Sequence, residues 1–242
     1  MRRRASLLLL LAVGVIGWFG VAVAAPEAKP RLHHIEVVLG GANPDSSLPM
    51  IVAIHGMGSH PDAFAGLFRE LTIPARLILP RAPTPKGRGF SWFSRKSSAE
   101  EVRAVTAQLA DLVAHLRATR PTYGKPIITG FSQGGILSFL LAVYHPDQMA
   151  LAIPIGGFLP KKLRSGKAKN KVPIVALNGK KDTVISFASA RDSIDHLKAL
   201  GYSARLVGFP GVGHRIPKRP KIELYKILHQ HLVQDGLFPG LP

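Results

Sequence analysis

The stretch Lys125-Pro126-Ile127-Ile128-Thr129-Gly130-Phe131-Ser132-Gln133-Gly134-Gly135-Ile136-Leu137-Ser138-Phe139-Leu140 decides the fold. Its first half is a short apolar run that reads as a strand over 125–131. Its second half reads as a helix over 133–144. Between them Gly130-Phe131-Ser132-Gln133-Gly134 fits G-x-S-x-G. A serine raised on so tight a turn needs glycines on either side, because any Cβ there would meet neighbouring backbone. Its hydroxyl then projects from the top of a sheet. The helix that follows aims its first amides at any negative charge developing beside that hydroxyl. G-x-S-x-G occurs by chance in glycine-rich loops, but seldom between a strand and a helix.

Working outward, strands and helices alternate. Residues 34–39, 50–54 and 75–79 read as strands, with a short helix over 60–71 and Pro80 as a stop. Residues 81–97 are rich in Pro, Gly, Arg and Ser and read as a loop. Ser98 is placed to cap a long helix whose apolar residues Val102, Val105, Leu109, Leu112, Val113 and Leu116 follow helical spacing, with Pro121 and Gly124 ending it. Strands over 151–155, 172–177 and 203–208 and helices over 187–200 and 217–232 complete the pattern, and the tail after Gly236 reads as loosely held. Central strands apolar on both faces imply a mostly parallel sheet covered by helices on both sides. No internal repeat or domain linker is visible, so residues 25–242 read as one domain.

A serine hydroxyl needs a base. Of ten histidines, His214 lies on a glycine-rich loop, Gly211-Val212-Gly213-His214, between the last strand and the last helix. Loops at the carboxyl ends of strands are where such sheets build their sites. His33, His34, His60, His115, His145, His196, His229 and His231 fall near the N-terminus or on helices, where solvation or packing explains them. Asp182 follows one strand and precedes a helix, which suits an acid that orients the histidine; a helix cap is its alternative role. Asp192 and Asp195 lie within a helical pattern. The order Ser132, Asp182, His214 is that of the α/β-hydrolase fold. His55-Gly56-Met57-Gly58 directly follows an early strand, so the Met57 N–H and the Gln133 N–H are the expected oxyanion donors, with His55 supporting the loop.

These blocks together resemble the phospholipase/carboxylesterase family of serine esterases, which includes acyl-protein thioesterases and lysophospholipases. The resemblance is carried by Gly-Phe-Ser-Gln-Gly-Gly, the His-Gly-Met-Gly loop, Pro80-Arg81-Ala82-Pro83 leading to Ser91-Trp92-Phe93, Gly157-Phe158-Leu159-Pro160 and Gly213-His214. It covers residues 48–232. It implies an α/β-hydrolase fold, a Ser132–Asp182–His214 triad, oxyanion donors at Met57 and Gln133, and no metal or organic cofactor. Trp92 resembles the family's aromatic near the acyl pocket; core packing explains it equally well.

Composition narrows the setting. The chain has 242 residues, 46% of them hydrophobic, enough for a large core and too apolar for a disordered chain. It has no cysteine, which removes disulfides, thiolate metal sites and a cysteine nucleophile. Met1-Arg2-Arg3-Arg4, an apolar run from Leu7 and the end Ala22-Val23-Ala24-Ala25 have the parts of a secretory signal, cut after Ala24. An uncleaved membrane anchor is the competing reading. Without the three leader arginines, 29 basic residues still face 14 acidic ones. Lys161, Lys162, Arg164, Lys167, Lys169 and Lys171 crowd one loop, and Arg215, Lys218, Arg219 and Lys221 follow the histidine. A charge run is most often a solvated face; the functional alternative is an anionic membrane or cell-wall surface as partner, or the steering of acidic substrates. Nucleic acid is not expected, since no recognition motif accompanies the charge. The expectation is an exported esterase for short- to medium-chain carboxylic esters. The alternatives are a lysophospholipase or thioesterase of the same family, and a non-catalytic envelope-binding module.

Overall fold

The computed structural model describes residues 32–164 and 170–234. The N-terminal segment read as a leader, Lys167 and Lys169 therefore lie outside the described residues. So does the tail after Gly236.

Seven strands form the main sheet. They are β1 (His34–Leu39), β2 (Met50–Ile54), β3 (Ala75–Pro80), β6 (Ile127–Phe131), β7 (Leu151–Ile155), β8 (Ile174–Gly179) and β9 (Ala204–Phe209). Their spatial order is β1-β3-β2-β6-β7-β8-β9, with β1 antiparallel to β3 and every other pairing parallel. β2 and β7 are buried at every position, so both of their faces must be covered.

Alternate residues serve the two faces. Met50, Val52 and Ile54 of β2 join Ile128 and Ala152 in a cluster covered by three helices, α2 (Ala99–Thr119), α3 (Gln133–Tyr144) and α4 (Phe187–Ala199). Ile51 and Ala53 join Ile127 and Ile153 on the other face, under α1 (Pro61–Ala65) and α5 (Lys218–His229). A fully buried Leu or Ile here contributes roughly 1.5–3 kcal/mol. α2 starts with a reciprocal capping box, in which the Ser98 side chain accepts from Glu101 N–H and the Glu101 carboxylate accepts from Ser98 N–H.

Two expectations need correcting. The helix read over 60–71 stops at Ala65 and closes with a turn of 3₁₀ helix over Gly66–Phe68, since Gly66 and the short apolar stripe do not sustain an α-helix. The stretch 81–97 is not all loop. It contains a hairpin of β4 (Thr84–Lys86) and β5 (Gly89–Ser91), whose Phe90 exchanges backbone bonds with Gly58 and Ser59. Its strands are too short and proline-rich to show a two-residue period, and docking on the 56–59 loop supplies the bonds that periodicity could not reveal.

Candidate active site

The parallel strands end along one edge, and each contributes a piece there. β6 ends at Phe131, and Ser132 follows with φ 57° and ψ −113°. It is the one non-glycine residue with positive φ among the described residues. Such a conformation costs about 1–3 kcal/mol and persists only where surroundings impose it. The imposition is visible in the glycines. A Cβ on Gly134 would lie 1.9 Å from the Ile54 carbonyl oxygen, and one on Gly130 would lie 2.5 Å from that of Gly134. The start of α3 is thus pressed against the end of β2, and the chain between must turn sharply.

β8 leads to Asp182 and β9 leads to His214. His214 Nδ1–H donates to Asp182 Oδ2 at 2.7 Å, and the Ser132 hydroxyl lies 2.9 Å from His214 Nε2. All three residues chosen from sequence therefore meet, although Ser132 and His214 lie 82 residues apart and Asp182 and His214 lie 32 apart. Asp182 is 7% exposed. Its other oxygen, Oδ1, accepts from the N–H groups of Val184 and Ile185 at 2.9 and 2.8 Å. The cap of α4 is Ser186, so the helix-cap alternative for Asp182 does not hold. Of its rivals, Asp192 pairs with Arg164 and Asp195 is exposed. Between serine and acid, β7 ends at Ile155, and a Cβ on Gly156, the next residue, would press on the Phe131 ring at 3.1 Å. The Phe131 ring lies 4.7 Å from that of His214, between centroids, and gives the imidazole an apolar backing.

The His55–Gly58 loop abuts the serine, since a Cβ on Gly56 would sit 3.2 Å from Ser132 Cβ. No acceptor in the described residues takes the Met57 or the Gln133 backbone N–H. Both residues line the cavity that holds Ser132, and their unclaimed amides suit oxyanion donors. His55 is fully engaged. Nδ1–H donates to the Gly56 carbonyl at 2.8 Å and Nε2 accepts from Ala82 N–H at 3.2 Å. Burial holds its pKa below the ordinary histidine value, in keeping with a neutral ring.

Trp92 takes the packing role that was its alternative, and it also borders a cavity of about 750 Å³ next to the site. It is 1% exposed and its indole N–H donates to the His55 carbonyl at 2.9 Å. A buried indole needs an acceptor, and meeting that need draws the ring into the core, beside His55. Phe93, one residue on, lines the cavity that holds Ser132. The Gln133 side chain is the residue that sequence reasoning missed. Its Oε1 accepts from Trp92 N–H and from Ser91 Oγ–H, at 3.0 and 3.2 Å, and its Nε2 donates to the Phe93 carbonyl at 2.6 Å. A polar side chain at the first turn of so apolar a helix was the available signal.

The cavity beside Ser132 has a volume of about 600 Å³. Val102, Ile136, Phe158, Leu163 and Ile185 form apolar walls, with Arg95 and Lys162 among the polar ones. A volume in this range suits a small organic ligand. In the basic loop, Arg164 is held by Asp192 and Lys162 Nζ donates to the Ser97 carbonyl at 3.0 Å, while Lys161 and Lys171 are exposed. Among the described residues no group of His, Asp and Glu is placed to hold a metal ion.

A family model described as phospholipase/carboxylesterase matches residues 33–232. A probable carboxylesterase of Oryza sativa subsp. japonica is 28% identical over 109 residues, a match covering 43% of this chain and 41% of that protein. The acyl-protein thioesterase 1 homolog 1 of Dictyostelium discoideum is 27% identical over 187 residues, covering 68% and 82% respectively. Among solved structures, esterase PE8 superposes with a TM-score of 0.72 at 22% identity, covering 82% of this chain and 98% of that one.

Proposed function

Because this chain belongs to the phospholipase/carboxylesterase family of serine hydrolases, we propose that Ser132, His214 and Asp182 hydrolyse carboxylic esters of short to medium acyl length. The observation that carries this reading is the unbroken chain from Ser132 Oγ to His214 Nε2 at 2.9 Å and from His214 Nδ1 to Asp182 Oδ2 at 2.7 Å, beside an apolar cavity. In the reaction His214 Nε2 takes the hydroxyl proton as Ser132 Oγ attacks the carbonyl carbon. Asp182 holds the imidazole in the tautomer that can accept this proton and stabilises the imidazolium that results. The carbonyl oxygen, now negative, is met by the Met57 and Gln133 N–H groups. As the intermediate collapses, the alcohol leaves with the proton from His214. Water, deprotonated by the same nitrogen, then attacks the acyl-serine and restores the enzyme. No metal or organic cofactor enters these steps.

Acyl length is argued from the cavity, which is bounded by apolar side chains yet has room for only a small ligand. A thioester or a lysophospholipid presents the same carbonyl to the same groups, so either is a second substrate class for this site. A fluorophosphonate probe together with p-nitrophenyl esters of graded chain length tests the reading. The probe should label Ser132, and turnover should peak at short to medium acyl chains. Absence of labelling and of turnover would leave a binding module on this fold.

Export is part of the same proposal. It is supported by the basic start, the apolar run and the A-x-A end before Ala25. The exported protein should begin at Ala25; an intact Met1 in a membrane fraction would favour the anchor. For an exported protein so basic, we propose an anionic envelope surface as partner of Lys161, Lys167, Lys169 and Lys171. Replacing these four by Gln should weaken binding to anionic vesicles at low salt, each lysine near such a surface being worth roughly 1 kcal/mol. Equal binding would leave the loop a solvated face.

A further inference from the structure

Two cavities lie side by side, one of them holding Ser132. The 600 Å³ cavity containing the serine and a second of about 750 Å³ share Met57, Phe93, Ser94, Arg95 and Ser97 as common lining. Arg95 borders both, Lys162 borders the first, and Lys86 and Lys96 border the second. The one acidic residue lining either is Glu101, and its carboxylate is occupied by the Ser98 N–H of the capping box. Elsewhere Arg76, Arg120, Arg164 and Lys221 each hold a carboxylate. Lys86, Arg95 and Lys96 form no ion pair among the described residues. Four cations against one carboxylate along a concave, partly apolar surface leave a net positive field that draws in the opposite charge. A guanidinium at the junction is the side chain best shaped to fork a carboxylate or a phosphate.

The direction of the substrate follows from the histidine. The leaving alcohol must lie next to His214 Nε2 to receive its proton, and His214 lines neither cavity. The acyl part is therefore the part that extends past Phe93 toward Arg95.

We propose that these adjoining cavities bind an acyl chain that ends in an anionic group, a carboxylate in the simplest case, seated by Arg95 with Lys96 and Lys86 beyond it. The inference rests on the serine esterase reading and deepens it by naming the acyl class. The test compares mono-p-nitrophenyl adipate with its neutral methyl ester. At low ionic strength kcat/KM should favour the charged ester by about tenfold or more. At 1 M salt, where screening acts over about 3 Å, the preference should shrink to within a few-fold. In a double variant, Arg95→Gln with Lys96→Gln, the ratio between the two esters should fall toward one. Reading a ratio cancels any general loss of activity in the variant.

A second measurement does not depend on turnover. In the Ser132→Ala protein, adipate should bind at least about tenfold tighter than hexanoate at low salt, and the double variant should remove the difference. Equal kcat/KM for the two esters, or equal binding of adipate and hexanoate, would overturn the inference. If neither ester is turned over while adipate still binds preferentially, the esterase reading fails and the anionic subsite stands.

Discussion

Replacing Gln133 by Ala tests whether this side chain holds the wall of the site. Gln133 is 5% exposed, and its amide ties the serine turn to residues 91–93. Truncation leaves the groups it served unequally placed. Ser91 Oγ–H also donates to the Phe93 carbonyl at 2.9 Å, so that pair can satisfy itself. Trp92 N–H has no other acceptor and would be orphaned in a buried setting, at about 1–3 kcal/mol. The lost Nε2 bond adds about 1 kcal/mol. The sum is roughly 2–4 kcal/mol. For a domain of this size each kcal/mol lowers Tm by about 2–4 °C, so a fall of roughly 4–16 °C is expected. Because residues 93–97 line the cavity, KM for p-nitrophenyl butyrate should rise, and kcat should fall less, since the Ser132–His214–Asp182 chain does not pass through this side chain. Gln133→Glu keeps the acceptor for Trp92 but faces the Phe93 carbonyl with a second acceptor; it should destabilise at least as much. Thermal unfolding and steady-state kinetics of the two variants check this. A Tm within 2 °C of the parent and an unchanged KM for Gln133→Ala would refute the role.

Ser132→Ala should lose turnover by a factor on the order of 10⁶ while folding as the parent does, and Asp182→Asn, which offers the histidine the wrong tautomer, should cost roughly 10⁴ in kcat; both are read from kcat on one ester. Trp92→Phe should lower stability by about 1–2 kcal/mol through the lost bond to the His55 carbonyl, with little change in acyl-length preference, as urea unfolding and the p-nitrophenyl series will report. Glu36 gives a pH dependence. Burial alone would raise its carboxyl, but hydrogen bonds and charge from Arg120 and Arg76 outweigh this and hold its pKa below the ordinary carboxylate value. Its contribution to stability is thus complete above that ordinary value and is lost as pH falls through the lower folded value. Urea midpoints should therefore decline more steeply below about pH 4.5 in the parent than in Glu36→Gln, which starts lower at pH 6 with the 1%-exposed Arg76 left without a carboxylate.

Sequence alone determined the alternation of elements, because buried parallel strands must be apolar throughout and amphipathic helices must keep their period. β1, β2, α3 and β7 follow the same bounds as their sequence signals. It also singled out Ser132, Asp182 and His214, because each of these chemistries demands one residue type on a loop after a strand. What only the tertiary structure decided were matters of distance and direction. The hairpin of β4 and β5 exists because the 56–59 loop pairs with it, a long-range bond that no local period records. The packing of Trp92 was set by where its indole N–H found an acceptor, and Phe93 came to line the cavity that holds Ser132. The side chain of Gln133 became a tie only because residues 91–93 fold back over the start of α3. In the same way the basic residues divided, Arg164 to an aspartate and Arg95 to the cavity junction, since a charge run states how many cations are present and only packing says what each one meets.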